Sequence, residues 1–337
     1  MVKGDRLGGR ECPTRIARVY RSTTRMKRIL TGHRWCGLSW STRERVLNSG
    51  RRTVIHLATI TQEDVCWADR FDGRVRTLAQ RILMTYVDND GIRINYEVVG
   101  DSTNLPLVLQ HGTSGDLNTW RDRGFVERLV DRYLLVLIDA RGAGQSDKPH
   151  DAESFSQVKR ASDVIAVLDD LGIERTHFFG YSMGGLIGAA VLQHHPDRLL
   201  SVTLGGYSPY DPKSLAKPPA TQAEYDHEVK NRHGLSDEDR IRLLRNDVIA
   251  LHASIASWAG SESSEETLQN SVPKMFFCGT EDPSFEGSKR AGTEANDSRF
   301  FPVEGADHGG AGGAVDIATP RILEFLGSQS NVGVAGD

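Results

Sequence analysis

The stretch HFFGYSMGGLIGAA, residues 177–190, passes from aromatic residues to a run of glycine and alanine, with Ser182 held between Gly180 and Gly184. Residues 176–179 carry the pattern of a buried strand, and Met183 to His195 that of a helix ended by Pro196. A serine at such a junction must turn sharply, and the residues two positions either side of it come close to other backbone, which only small side chains tolerate. The spacing therefore predicts a strained strand–serine–helix turn that lifts the hydroxyl above the sheet. Gly185, Gly188 and Ala189 would let the helix lie close to the strands. By itself the pattern also fits an ordinary strand-to-helix turn, so its partners decide what it is for.

Working outward from this turn, apolar runs alternate with helical patterns from Met84 onward. Strands are expected at 92–100, after a turn at Asn89–Gly91, and at 105–112, 133–139, 176–180, 199–206, 273–279 and 299–303. Helices are expected at about 118–131, 155–172, 183–195 and 314–326. In the second of these, Phe155, Val158, Ala161, Ile165, Leu168 and Leu171 recur at helical spacing as one apolar face. Apolar strands joined by helices imply an α/β fold with a parallel sheet covered on both faces. Between Tyr207 and Val272 the alternation breaks into a proline-rich run, charged helical segments around Asp237 to Ala256 and a polar tract. This length suits a small cap inserted over the strand ends.

A serine hydroxyl is a poor nucleophile at neutral pH. It needs a histidine to take its proton and a carboxylate to hold that histidine in the right tautomer. After the cap, the order serine, acid, histidine is met by Asp282, three residues beyond the glycine ending its strand, and by His308, in the loop after the last strand. Asp282 is preferred over its neighbour Glu281 and over Asp307, which adjoins His308 too closely to reach its Nδ1. Two N–H donors are expected to face the developing oxyanion: Met183 at the helix N-terminus, and Thr113 in the glycine turn HGTSG that follows the 105–112 strand. His111 reads as structural. Trp120 and Trp258 read equally as pocket lining and as core.

HGTSG, DARGAGQSD, GYSMGG, GTED and GADH, in this order and separation, resemble the α/β-hydrolase superfamily over about residues 84–327, in particular its small serine esterases, enol-lactone hydrolases and perhydrolases. The resemblance implies a mostly parallel eight-stranded sheet covered by helices on both faces, with a small cap insertion. It implies Ser182, Asp282 and His308 as a catalytic triad and Thr113 and Met183 as oxyanion donors, and it makes Arg141, Gly142, Gly144 and Ser146 a loop that organises the site. Dehalogenases and epoxide hydrolases of the superfamily use an aspartate nucleophile, against which Ser182 argues. Residues 1–83 have no counterpart in the family, and the GGAGG after His308 is richer in glycine than its usual pattern.

The charge distribution separates that first segment from the rest. Residues 1–83 hold 18 Lys and Arg, 16 of them Arg, against 7 Asp and Glu, whereas residues 84–337 hold 23 against 38. Three readings of the basic segment stay open: a targeting peptide, a nucleic-acid-binding arm, or sequence upstream of a start at Met84. A weakly ordered or dispensable extension is the expectation. Cys12, Cys36 and Cys66 match no zinc spacing, and Cys278 stands alone in the main body, so disulfides are not expected there. No run of about 18 apolar residues is present and no signal-peptide pattern opens the chain, so a cytoplasmic protein without membrane or nucleic-acid partners is the default. A small-molecule ester is the expected substrate, with no metal or cofactor required; oligomeric state is not readable from the sequence.

Overall fold

In the strand Thr176–Tyr181 all six residues are buried, and sequence neighbours serve opposite faces: Phe178 joins one apolar core and Phe179 the other. The same alternation divides Val108 from Leu107 and Leu109, Val136 from Leu135 and Leu137, and Phe276 from Phe277. Strands apolar on both sides must be covered on both sides, and this requirement sets the layered architecture.

The structure, a computed structural model, describes residues 19–21, 40–46, 52–58, 85–212, 217–233 and 235–330. The chain divides at Leu83–Met84 into two compact units. In the first, β1 (Val19–Arg21), β2 (Trp40–Val46) and β3 (Arg52–Ala58) form an antiparallel sheet in the order β1-β3-β2. The rest of residues 1–83, with its three cysteines and the expectation of weak order, lies outside the described residues.

The second unit opens with the hairpin β4 (Thr85–Asn89) and β5 (Ile92–Val99), joined through Asp90 and Gly91, both at positive φ (51° and 81°), as a tight two-residue turn demands. There follow β6 (Pro106–Gln110), β7 (Leu134–Ile138), β8 (Thr176–Tyr181), β9 (Leu199–Gly205), β10 (Lys274–Gly279) and β11 (Ser298–Val303). These make one eight-stranded sheet in the order β11-β10-β9-β8-β6-β7-β5-β4, parallel except at β4/β5 and β5/β7. The helices are α1 (Thr119–Asp122), α2 (Phe125–Leu129), α3 (Gln157–Leu171), α4 (Met183–His194), α5 (Gln222–Asn231), α6 (Asp237–Leu243), α7 (Val248–Ala256), α8 (Glu265–Gln269), α9 (Phe285–Glu294), α10 (His308–Gly313) and α11 (Val315–Ser330). Residues of α3 and α4 share a core with one face of the sheet, and residues of α1, α2 and α11 with the other. This is the α/β-hydrolase fold.

Two local expectations are corrected. The single helix at 118–131 is two short ones, because Gly124 takes a left-handed conformation (φ 81°) between them. The buried side of α3 is rotated from the apolar pattern. Val158 is 56% exposed, while Arg160 and Asp163 face inward, each paired in the interior by partners the pattern cannot show. The helical segments expected around Asp237 to Ala256 are α6 and α7, which part around Asn246, where Asp247 caps α7 through the Ala250 N–H at 3.0 Å. The cap helix α5 was not anticipated, although its capping box, Thr221 with Glu224, is a sequence signature.

The cap helices α5 to α8 lie between β9 and β10 and carry a small core of Tyr225, Val229, Val248 and Leu251. Arg160 anchors them to the main body: its Nη2 donates to the Ser254 carbonyl at 3.0 Å and to Ser257 Oγ at 2.9 Å. Among the described residues, no helix is long and apolar enough to cross a membrane.

Inside β8, His177 lies against Ser201 Oγ of β9 (2.8 Å) and edge-on to Tyr133, with its Nε2 unpartnered among the described residues. Burial, with a smaller contribution from the charge of Arg175, pushes its pKa down from 6.5 to about 4. The unfolded chain therefore takes up this proton before the folded one does. The stabilisation is complete above about pH 6.5 and is lost as pH falls towards 4. Urea midpoints measured across this window should fall with pH for the wild type and fall less steeply for His177→Gln; parallel slopes would show that His177 is not the group responsible.

Candidate active site

Ser182 joins β8 to α4 with φ 57° and ψ −116°, a conformation that a side-chain-bearing residue adopts at a cost of about 1–3 kcal/mol. What holds it there is backbone. The Ser182 N–H donates to the Gly205 carbonyl of β9 at 2.8 Å, and its own carbonyl accepts from Leu186 N in the first turn of α4 at 3.1 Å. The flanking glycines allow the approach: a Cβ on Gly180 would strike the Gly184 carbonyl, and one on Gly184 would strike the Gln110 carbonyl of β6. Further along α4, Gly188 sits against Leu204 and Phe178, which keeps the helix close to the sheet as its sequence implied.

His308 Nε2 lies 2.9 Å from Ser182 Oγ, and His308 Nδ1 lies 2.6 Å from Asp282 Oδ2. An ionised carboxylate can only accept, so Nδ1 carries the proton and Nε2 is free to accept from the serine hydroxyl. The Asp282 side chain is fully buried while that of His308 keeps partial access to solvent. Burial disfavours the charged form of Asp282, yet hydrogen bonds from His308, from the Ser284 N–H (2.8 Å) and from the Cys278 thiol, with the charge of His308, together hold the carboxyl below its ordinary range. Cys278 is itself buried and free, and its thiol is pushed up to about 12, first by burial and then by the neighbouring carboxylate.

The two loops that carry these groups are stitched together. Glu281 N donates to the Ala306 carbonyl at 3.0 Å, and Gly305 N donates to Thr280 Oγ1 at 2.8 Å. Glu281 turns its side chain to solvent, whereas Asp307 caps α10 by accepting from Gly310 N at 2.7 Å. Neither competing acid is the one against His308. The glycine-rich stretch after His308 is the short helix α10.

On the other side of Ser182 runs the turn after β6. A Cβ on Gly112 would stand 3.3 Å from Ser182 Cβ and 3.8 Å from its Oγ, so the segment leading into Thr113 passes beside the serine. The Met183 amide is the first of α4 and has no intrahelical acceptor. His111 is wholly buried: its Nδ1 donates to the Gly112 carbonyl (2.8 Å) and its Nε2 accepts from Ala140 N (3.1 Å), the structural role read for it.

The loop after β7 is built around a residue the sequence reading did not single out. Asp139 is buried and accepts from Leu117 N (2.7 Å), Asn95 Nδ2 (2.8 Å) and Gln145 N (2.8 Å), tying the turns after β6 and β7 to β5. Gly144 packs directly on its carboxylate. Ser146 Oγ donates to the Asp139 carbonyl at 2.7 Å, and Arg141 makes a buried two-pronged pair with Asp163, both bonds at 2.6 Å.

Sequence reasoning missed the contacts of three further residues. Asn246 of the cap donates through Nδ2 to the Ser114 carbonyl and to Tyr225 Oη, both at 2.9 Å. Arg242 reaches Asp122 at 2.6 Å and Asp116 at 3.5 Å. Tyr181 Oη donates to the His308 carbonyl at 2.6 Å. Such long-range polar contacts leave no periodic trace in a sequence. Trp120 and Trp258 are core residues, the former against Phe125 and Phe179. Among the described residues, no cluster of His, Cys, Asp and Glu could hold a metal ion.

Residues 106–251 match the sequence family described as the α/β hydrolase fold. The chain is 36% identical over 119 residues to the dihydrolipoyllysine-residue acetyltransferase component of an acetoin cleaving system from Cupriavidus necator, covering 35% of this chain and 30% of that one. It is 32% identical over 111 residues to 3-oxoadipate enol-lactonase 2 from Acinetobacter baylyi, covering 33% of this chain and 40% of the relative. The chain thus aligns with less than half the length of these relatives. A thermophilic esterase from Thermogutta terrifontis superposes with a TM-score of 0.60 at 20% identity, over 73% of this chain and 98% of the esterase. The sheet order, the strand–serine–helix turn and the family match over residues 106–251 thus agree on the α/β-hydrolase fold.

Proposed function

We propose that this chain is a serine hydrolase that cleaves small soluble carboxylic esters through an acyl-enzyme. The observation that carries the reading is the single imidazole of His308 in hydrogen-bond reach of both Ser182 Oγ and Asp282 Oδ2. His308 Nε2 takes the hydroxyl proton as Oγ attacks the acyl carbon, and Asp282 stabilises the imidazolium. The Met183 and Thr113 N–H groups receive the oxyanion, each donor contributing about 3–4 kcal/mol to the transition state. His308 then protonates the leaving alcohol, and after water enters it serves again as base to release the acid.

A cleft of about 140 Å³ between the Ser114–Thr119 turn and the cap is lined in part by Gly144, Leu243 and Asn246 but by none of Ser182, Asp282 and His308, so the substrate class rests on the chemistry of the site and not on the size of this cleft. An enol lactone is a cyclic ester, so the enol-lactonase relative points to the same attack on an acyl carbon with a tethered leaving group.

The test is turnover of p-nitrophenyl acetate, butyrate and octanoate by the wild type and Ser182→Ala, extended to enol lactones and to peracid formation. A burst that needs Ser182 and favours the shorter esters is expected. A wild type no faster than Ser182→Ala would overturn the reading in favour of a ligand receptor or scaffold on the same fold.

Asp282→Asn keeps the shape of the acid and presents an amide to Nδ1, which selects the wrong tautomer; kcat should fall by about four orders of magnitude while KM stays close to wild type. A loss under tenfold would remove Asp282 from the triad. A chain beginning at Met84 should retain the wild-type kcat/KM on the preferred ester, and a large drop would give residues 1–83 a functional role.

A further inference from the structure

His308 sits at the start of α10, where four of six residues, Gly309, Gly310, Gly312 and Gly313, are glycine. Glycine loses more freedom on ordering than any other residue, so beyond the Asp307 cap at its start this segment has little local reason to hold one backbone position. Its side chain must nevertheless meet two partners at 2.6 and 2.9 Å. Fixing it requires contacts from outside the segment.

Two residues supply them at the two ends of α10. Tyr181, the residue before the serine, donates its hydroxyl to the His308 carbonyl at 2.6 Å, with its ring centroid 5.4 Å from the imidazole. Arg123, at the end of α1, donates Nη1 to the Gly312 carbonyl at 2.9 Å and places its guanidinium 5.8 Å from the Tyr181 ring centroid. A Cβ at Gly312 would come within 2.7 Å of both Arg123 Nη1 and the Tyr181 ring, so the glycine is what lets the pair close on the helix. Arg123 is largely buried, and burial pulls its pKa down; no carboxylate lies within ion-pair distance of it among the described residues. Its guanidinium is thus committed to the α10 carbonyl and the aromatic face.

We infer that Tyr181 and Arg123 form a clamp that positions His308 for proton transfer, Tyr181 from the nucleophile side and Arg123 from α1. Neither is a catalytic residue: the Tyr181 hydroxyl is directed at a carbonyl and is not available to the reacting acyl group. The clamp couples the strand that carries the nucleophile to the backbone that carries the base, so the two groups keep register when the loop moves. The inference rests on the reading of Ser182, Asp282 and His308 as a triad.

Tyr181→Phe keeps the ring packing and removes one hydroxyl; Arg123→Met keeps the apolar stem and removes the guanidinium. On the full chain, each should lower kcat by about 10- to 100-fold with KM within about twofold of wild type. The double variant should lose little more than the worse single one, because both changes release the same helix. The low-field proton resonance shared by His308 and Asp282 gives a readout that needs no substrate, and it should broaden or vanish in Tyr181→Phe at a temperature where circular dichroism shows the fold intact. An unchanged resonance, a kcat equal to wild type, or strictly additive losses in the double variant would each overturn the clamp. A wild type with a sharp resonance that Tyr181→Phe loses, but without ester turnover, would support the clamp and refute the substrate reading.

Discussion

The backbone at Ser182 is the constraint on which the rest of the site depends. A left-handed φ at a residue with a side chain survives only where its surroundings over-determine it. Here β9 fixes the amide, the first turn of α4 fixes the carbonyl, and the glycines on either side let two carbonyls approach to contact. The hydroxyl is thereby raised at the C-terminal edge of a sheet whose strands are apolar on both faces. Local strain at one residue is offset by two cores, one on each side.

Around this point the buried carboxylates follow one pattern: each is held by several hydrogen bonds. Asp282 has hydrogen bonds to both carboxylate oxygens, Asp139 accepts from two main-chain amides and one side chain, and Arg141 faces Asp163 two-pronged. The carboxylates orient what stands next to them. Asp282 orients an imidazole, whereas Asp139 holds two loops to a strand. Breaking either would leave a charge without water or partners, the costliest defect an interior can hold.

The parts of this architecture that obey a period were legible in the sequence. The β6, β7, β8, β9, β10 and β11 strands appear as short apolar runs; Ser182 stands out by its flanking glycines, Asp282 by its distance from the glycine that ends β10, and His308 by its place in the loop after the last strand. Where the period misled, tertiary pairing had replaced it. Val158 fits the apolar stripe of α3 but faces solvent, because the inward positions are held by Arg160 and Asp163, whose partners lie in other elements. The sequence reads as a single helix over 118–131 because Gly124 is permitted in a helix, and nothing nearby in sequence shows that it turns left-handed. The ties from Tyr181, Asn246 and Arg242 span 127, 132 and 126 residues of chain, and their donors are ordinary polar side chains.

The Asn246 amide has further significance for how this scaffold can change. Both of its hydrogens are occupied, one by the Ser114 carbonyl and one by Tyr225. Loops over a sheet edge are where new specificities usually arise by exchange of segments. In this chain, transplanting a foreign cap would also cut away the outer brace of the turn that carries Thr113, so a chimera would alter rate and selectivity together unless its new segment restored a donor at that place.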